Sequence, residues 1–518
     1  MPRQTRISLD TSRSVSAVNR RLFGSFVEHM GRCVYTGIFE PEHSTADANG
    51  FRQDVLDLIR ELGVTTVRYP GGNFVSGYRW EDGIGPAAAR PARLDLAWHS
   101  IEPNTFGLHE FMSWAAEAGI EPMMAVNLGT RGIAEAIDLL EYANISGGTA
   151  LSQARVTNGA EKPFDIKIWC LGNEMDGPWQ IGHKTADEYG RLAAETARAM
   201  RLVQPDLELV VCGSSSSSMP TFARWEATVL EHTYDQVDFI SCHAYYEPDG
   251  DDMASFLASA VDMDFFIDSV VATADYVGAK LRSTKKINIS FDEWNVWYLK
   301  RHQAQATPGS WAIAPRVIED QYSLADAVVV GGLLISLLRH SDRVAAASLA
   351  QLVNVIAPIM TEPDGPAWRQ ATFHPFALTA RHARGRGLDL DVQSEMLPTQ
   401  RYGQVAAVDA VATYDDDSEE LVIFLVNRST HDAQAVDISL TNFSTGSHPA
   451  QLIEALGMYG PDVHATNSLE HQDQVTPRPL PGVVLEGSAL RLEAPPASWL
   501  MLRLTASGPA GTRGTVGP

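Results

Sequence analysis

Short apolar strands alternate with amphipathic helices over roughly 360 residues, and the chain then changes to short alternating segments without helical periodicity. Those two observations predict an α/β chain: a (β/α)8 TIM barrel followed by a C-terminal all-β sandwich, jelly-roll-like. A third observation weighs against an open doubly wound sheet. The early glycine pair, Pro70-Gly71-Gly72, runs on into Asn73-Phe74 and does not make the GxGxxG phosphate turn such a sheet would carry. The expected domains are an N-terminal strand within 1–20, a barrel over 21–384, a sandwich over 385–505 and a disordered Gly/Pro/Thr-rich tail over 506–518.

In chain order, the segment RISLDTSRSV reads as a strand with no local neighbour, which is expected to pair with the C-terminal sandwich. Barrel strands are predicted at 22–28, 65–69, 122–127, 165–171, 207–212, 239–243, 287–292 and 344–350. They are apolar nearly throughout, as strands covered on both faces must be. Helices are predicted at 53–62, 108–118, 133–142, 186–203 and 322–338, where apolar residues recur at i, i+3 and i+4 and bury one face. Past residue 384, strands are predicted at 405–414, 420–427, 435–440, 451–455, 489–492 and 498–504, with turns such as Asp415-Asp416-Asp417-Ser418 between them.

Composition narrows the function classes. The 518 residues carry a formal charge of −24, which disfavours nucleic acid or an anionic membrane as partner. The opening MPRQTRISLD has no apolar core of a signal peptide, and the run 328–338, broken by Gly331 and Gly332, is too short to span a bilayer. A cytoplasmic protein is expected. Cys33, Cys170, Cys212 and Cys242 are scattered, so buried free thiols are expected rather than disulfides or a zinc site.

In a barrel the C-terminal strand ends carry the site. Here they offer Glu28-His29, then Arg68 with Asn73, Asn127, Asn173-Glu174, His243-Ala244-Tyr245-Tyr246, Asp292-Glu293-Trp294-Asn295-Val296-Trp297, and Gln351 with Asn354. Glu174 follows the apolar run of DIKIWCLGNEMDGPW, where a carboxylate is costly unless solvated, paired or used. Glu293 stands on strand seven, across the mouth from strand four. Two facing carboxylates suit glycosidic bond cleavage, one as acid/base and the other as nucleophile or base, with Arg68 placed to hold one ionised. Plainer readings stand beside these. Asn173 would also serve as a helix cap, and Trp179, Trp294 and Trp297 as packing. His243 would also serve as a satisfied core histidine, although its spacing from Tyr245 puts both on one strand face. Strand one ends in Glu28-His29-Met30 and lacks the His-x-His of metal-dependent barrel hydrolases, so no catalytic metal is expected.

WCLGNEMDGPWQIGHK, with RYPGGNF upstream and SFDEWNVWY downstream, resembles the α-L-arabinofuranosidases of glycoside hydrolase family 51. The likeness runs from FGSFVEHMGRCVYTGI to AQLVNVIAPIMT and on into the sandwich. It implies Glu174 as acid/base and Glu293 as nucleophile of a retaining enzyme, whose carboxyl groups lie about 5–5.5 Å apart. It also implies that Glu28, Asn73, Asn173 and Gln351 contact the sugar, and that Arg68 and Tyr245 orient the nucleophile, with Tyr245 inside the sugar site and His243 close by. Trp297 is implied as an aromatic wall, joined by Trp98 and Trp179, and residues 298–315 as a lid. The resemblance further implies no cofactor, arabinofuranosyl oligosaccharides as substrates, and a homohexamer. The alternatives are a retaining xylosidase or endoglucanase, or a non-catalytic carbohydrate-binding barrel.

Overall fold

The computed structural model describes residues 4–305, 311–443 and 449–506. The predicted disordered tail lies outside the described residues except for Ala506, as does part of the predicted lid, 306–310. Eight parallel strands close a barrel in chain order: Gly24–Phe26, Thr66–Tyr69, Glu121–Ala125, Ile168–Leu171, Glu208–Val211, Phe239–Tyr246, Asn288–Val296 and Val344–Leu349. Met123, Ala125, Ile168, Cys170, Val210 and Phe239 fill its interior, so the barrel encloses a packed core.

Most strand boundaries differ from expectation by one to four residues, and the differences in strands one, six and seven matter at the site. Strand one covers only Gly24–Phe26, because a 3₁₀ turn at Arg20–Phe23, capped by the Asn19 side chain, precedes it. Glu28 therefore stands beyond the strand end. Gly24 fits there because a Cβ would lie 2.5 Å from the Ala347 carbonyl oxygen on strand eight. Strands six and seven run past their predicted ends, to Tyr246 and Val296, which puts Tyr245 and Glu293 within the sheet beside His243. Strand seven is also irregular. Its register shifts between Ser290 and Glu293 against strand six, and between Phe291 and Trp294 against strand eight. Such a bulge re-aims side chains.

The helices at Gln53–Leu62, Leu108–Ala118 and Ala186–Val203 stand where their periodicity places them. Three longer helices were not legible in the sequence: Arg224–Thr233, Ala260–Leu281 and Phe373–His382. In Ala260–Leu281 the buried stripe of Met263, Phe266, Ile267, Val270 and Ala274 is blurred by the exposed Phe265 and Tyr276. Among the described residues no helix is long and apolar enough to cross a membrane. All four cysteines are free and buried.

The C-terminal part is one continuous ten-stranded sheet that curls around its own core, formed by Ile7, Leu9, Val408, Leu421, Ile438, Leu490 and Leu502 among others. The strand Gln4–Ala17 lies inside this sheet. It runs antiparallel to Arg386–Gln393 on one side and parallel to Gln434–Thr441 on the other. The barrel meets the sheet through the helix Leu324–Arg339. A Cβ on Gly331 of that helix would lie 2.1 Å from the Trp499 ring, so glycine lets the two surfaces close.

Candidate active site

The site is built around Arg68, a guanidinium 1% exposed that projects from strand two into the barrel mouth. It donates to Glu293 Oε1 at 2.8 Å and to Asn173 Oδ1 at 2.6 Å, and its Nε lies 3.8 Å from Asp292 Oδ2. Adjacent residues on a regular strand point to opposite faces, yet Asp292 and Glu293 both reach Arg68. The register shift in strand seven makes that arrangement feasible. The Phe26 ring packs on the guanidinium at 5.0 Å. Burial opposes the charge of Arg68, but the neighbouring Asp292 and Glu293 outweigh it and raise its pKa.

Glu293 receives a second donor, the Tyr245 hydroxyl, at 2.7 Å on Oε2. Burial and the Glu293 charge together hold that phenol well above its ordinary pKa, so it remains a donor. Strand register pairs Glu293 with His243 and Asn295 with Tyr245. His243 Nδ1 lies 2.9 Å from Glu174 Oε1 and 3.6 Å from Glu293 Oε2. Burial works against its protonation, but the two carboxylates raise its pKa above the usual value.

Glu174 stands one turn beyond strand four with φ at +43°, after Gly172 at +98°. A left-handed conformation is costly for a side-chain-bearing residue and marks a position held by its surroundings. Its carboxyl accepts from His243 on Oε1 and from the Trp179 indole on Oε2 at 2.6 Å. Asn173 caps no helix: the next one begins at Ala186 and is capped by Thr185. Instead its amide nitrogen points to Asn73 Oδ1 at 3.4 Å.

Glu28 forms the other wall. Its Oε1 accepts from the Phe74 backbone N–H at 2.9 Å and the Trp98 indole at 2.8 Å, and its Oε2 from Gln351 at 3.2 Å. Burial pushes this carboxyl up to about 8. The Phe74 N–H opposes the shift and the Glu293 charge adds to it. The glycine pair that fits no phosphate turn has its reason here. A Cβ on Gly71 would lie 2.4 Å from Glu28 Cγ, and one on Gly72 would lie 3.1 Å from Glu293 Oε1. Trp297 stands edge-on to Tyr245 at 5.0 Å, with its indole nitrogen unpartnered.

Direct contacts thus join Arg68, Asn73, Asn173, Glu174, Trp179, His243, Tyr245, Glu293 and Trp297 in one group and Glu28, Trp98 and Gln351 in a second, and a Cβ on Gly72 would lie between the two, 3.1 Å from Glu293 Oε1 and 3.3 Å from Glu28 Oε2. Other strand-end residues are not part of this set. Trp294 is fully buried against Phe376, Asn127 caps its own turn at Gly129 and Thr130, and Asn354 bonds to Arg32 and Thr361. His29 is buried between Glu102 and Tyr69, behind the site.

Sequence reasoning gave no role to two acids. Asp292 was masked by its neighbour Glu293. Asp176 is buried behind Glu174 and accepts from the Ser215 N–H and hydroxyl, and burial raises its pKa to about 7. The sequence signal for Asp176 was its place two residues after Glu174.

Ligand atoms of Glu174, His243 and Glu293 lie within 4.8 Å of one another, a spacing a divalent cation could occupy. The donor set is poorly suited to one, because Glu293 already binds a guanidinium and a phenol. As it stands, the arrangement offers one carboxylate fixed by two donors and a second in contact with an imidazole. They face each other from strands four and seven. That asymmetry suits a nucleophile opposite a proton carrier.

Two family models match the chain: the α-L-arabinofuranosidase 1 domain over residues 58–260 and the α-L-arabinofuranosidase C-terminal domain over 292–498. An intracellular exo-α-(1→5)-L-arabinofuranosidase of Streptomyces lividans is 57% identical over 98% of this chain and 76% of its own. An exo-α-(1→6)-L-arabinofuranosidase of Bifidobacterium longum is 55% identical over 96% of both chains. The solved structure of a family 51 α-L-arabinofuranosidase from Bifidobacterium longum superposes with a TM-score of 0.92 at 49% identity, over 97% of this chain and all of that one.

Proposed function

The chain belongs to the α-L-arabinofuranosidases of glycoside hydrolase family 51, and on that premise we propose that it releases terminal α-L-arabinofuranosyl residues from oligosaccharides with retention of configuration. Glu293 attacks the anomeric carbon and forms a glycosyl–enzyme ester while Glu174 gives its proton to the departing glycosidic oxygen. Glu174 then takes a proton from water, whose oxygen attacks the same carbon. The ester bond breaks, arabinose leaves, and both carboxyl groups return to their starting states.

The observation that carries this reading is the separation of the pair. Oxygens of Glu174 and Glu293 come within 4.8 Å. Retaining enzymes hold their carboxyl groups about 5–5.5 Å apart, whereas inverting ones need about 6.5–9.5 Å to admit a water. Arg68 and Tyr245 aim Glu293, and His243 positions Glu174. Glu28, Asn73, Asn173 and Gln351 take the sugar hydroxyls, between Trp98, Trp179 and Trp297. The intracellular naming of relatives supports a cytoplasmic enzyme acting on short arabinan- or arabinoxylan-derived chains. We extend the reading to a homohexamer, which light scattering would test.

Hydrolysis of 4-nitrophenyl α-L-arabinofuranoside, set against the xyloside and glucoside and followed by NMR for anomeric outcome, tests the reading. Dominant arabinofuranosidase activity with a retained first product is expected. A preference for xyloside or glucoside, or an inverted first product, would refute it.

A further inference from the structure

The loop 174–184 carries the proton-transfer side of the site. It closes on itself through backbone bonds, from the Gly177 N–H to the Glu174 carbonyl, from Gln180 to Gly177 and from Lys184 to Met175. Within it Trp179 turns outward, with its indole on Glu174. The next residue, Gln180, turns inward and is 2% exposed. Its amide donates to the fully buried Ser76 hydroxyl.

Ser76 belongs to the 3₁₀ turn Asn73–Gly77, which begins with Asn73 beside Asn173 and puts the Phe74 N–H on Glu28. Thr130, on the loop after strand three, fixes this turn by donating to the Ser76 carbonyl at 2.7 Å. Gly129 lies between the turn and the 174–184 loop. A Cβ there would come 2.8 Å from Ser76 Oγ and 2.4 Å from the Ile181 carbonyl oxygen. The Gln180 bond therefore joins the segment of the proton carrier to the segment that faces Asn173 and Glu28.

Gln180 is a poor choice for stability alone. Its Oε1 is buried with no partner, and an orphaned acceptor costs free energy that an apolar side chain of the same size would not. Trp179 is half exposed and has little packing to hold its ring, so the backbone it stands on must be held instead. The neighbouring amide supplies that hold.

We infer that Gln180 is a positioning residue for proton transfer: through Ser76 it fixes the 174–184 loop so that the Trp179 indole stays on Glu174. The inference rests on the glycosidase reading above and names a residue on which its acid step depends. A displaced acid costs most when the leaving group is poor, because a good leaving group departs without the proton.

The test uses Gln180→Met, which keeps the bulk of the side chain, Ser76→Ala, and the two combined. kcat/KM is measured along a series of aryl α-L-arabinofuranosides from 4-nitrophenyl to phenyl. These aryl groups are similar in size, so lost binding would affect both ends of the series alike. In each single variant we expect the phenyl glycoside to lose about tenfold more kcat/KM than the 4-nitrophenyl glycoside, and the double variant to be no worse than the singles. Equal losses at both ends, as a general structural role would give, would overturn the proposal. So would losses that multiply in the double variant, or unchanged activity in both singles. Ser76→Ala removes only the acceptor, so the test stands even if Gln180→Met does not fold. Turnover of 4-nitrophenyl α-L-arabinofuranoside by the unaltered protein tests the glycosidase reading separately, so the two readings can fail independently.

Discussion

Trp179 donates its indole N–H to Glu174 at 2.6 Å although the residue is 52% exposed. The ring lies on Gly177, where a Cβ would come within 2.5 Å of it. A solvent-facing tryptophan thus holds the carboxyl group assigned to proton transfer. Hydrogen bonds to a charged group contribute about 1.5–3 kcal/mol. Trp179→Phe keeps the ring and removes the donor. It should lower kcat/KM on arabino-oligosaccharides about tenfold or more and leave the melting temperature unchanged. Steady-state kinetics with differential scanning calorimetry would check both, and an unaltered kcat/KM would remove Trp179 from the site.

The roles of the two glutamates separate by rescue. Glu293→Ala should abolish turnover, and azide should then give the inverted glycosyl azide. Glu174→Ala should keep fast first-step chemistry on aryl glycosides with good leaving groups, and azide should give the retained product. Exchange of the two outcomes would exchange the roles.

Arg68 is buried between Asp292, Glu293 and Asn173, so its removal leaves two acids without their cation. Breaking a buried pair by deleting one partner costs about 3–5 kcal/mol. Arg68→Met should lower unfolding stability by that order in urea titration and reduce the rate of glycosyl–enzyme formation by at least a hundredfold. Arg68→Lys should recover part of the stability but little of the rate, because an ammonium cannot bond Glu293 and Asn173 as a planar fork does.

Glu28 should make stability depend on pH. Its carboxyl titrates near 8 in the folded protein and near 4.5 when free. Between those values the folded state holds a proton that the unfolded state has lost, so this group's contribution to stability falls as pH rises. Below about 4.5 and above about 8 it adds no slope. Glu28→Gln removes the effect, so the melting temperature of the variant relative to the parent should climb from pH 5 to pH 8. A difference independent of pH would show that Glu28 titrates normally. On the proposed role of Glu28 in holding sugar hydroxyls, activity should fall at every pH.

The barrel was legible because strands buried on both faces and helices buried on one leave different periods in the sequence. The ends of strands six and seven were less so: Tyr245-Tyr246 and Trp294-Asn295 look like loop residues until the neighbouring strand supplies their backbone partners. Glu174 and Glu293 announced themselves by following apolar runs. Asp176 and the Trp98 contact with Glu28 did not, since burial of an acid behind a loop and a bond spanning 70 residues are products of tertiary packing. The Gly71-Gly72 pair was visible but unexplained until the atoms it admits, those of Glu28 and Glu293, were in place.

The strand Gln4–Ala17 has its partners at Arg386–Gln393 and Gln434–Thr441. On the ribosome it emerges before its partners and waits for segments made nearly four hundred residues later, while the intervening barrel can fold as a unit. The chain is therefore fastened at both ends by one sheet. A nascent or truncated product that stops before residue 386 carries an unpaired strand with Ile7 and Leu9 uncovered, a template for association with other chains. Quality control of such a product would then act on the strand Gln4–Ala17, far in sequence from the break.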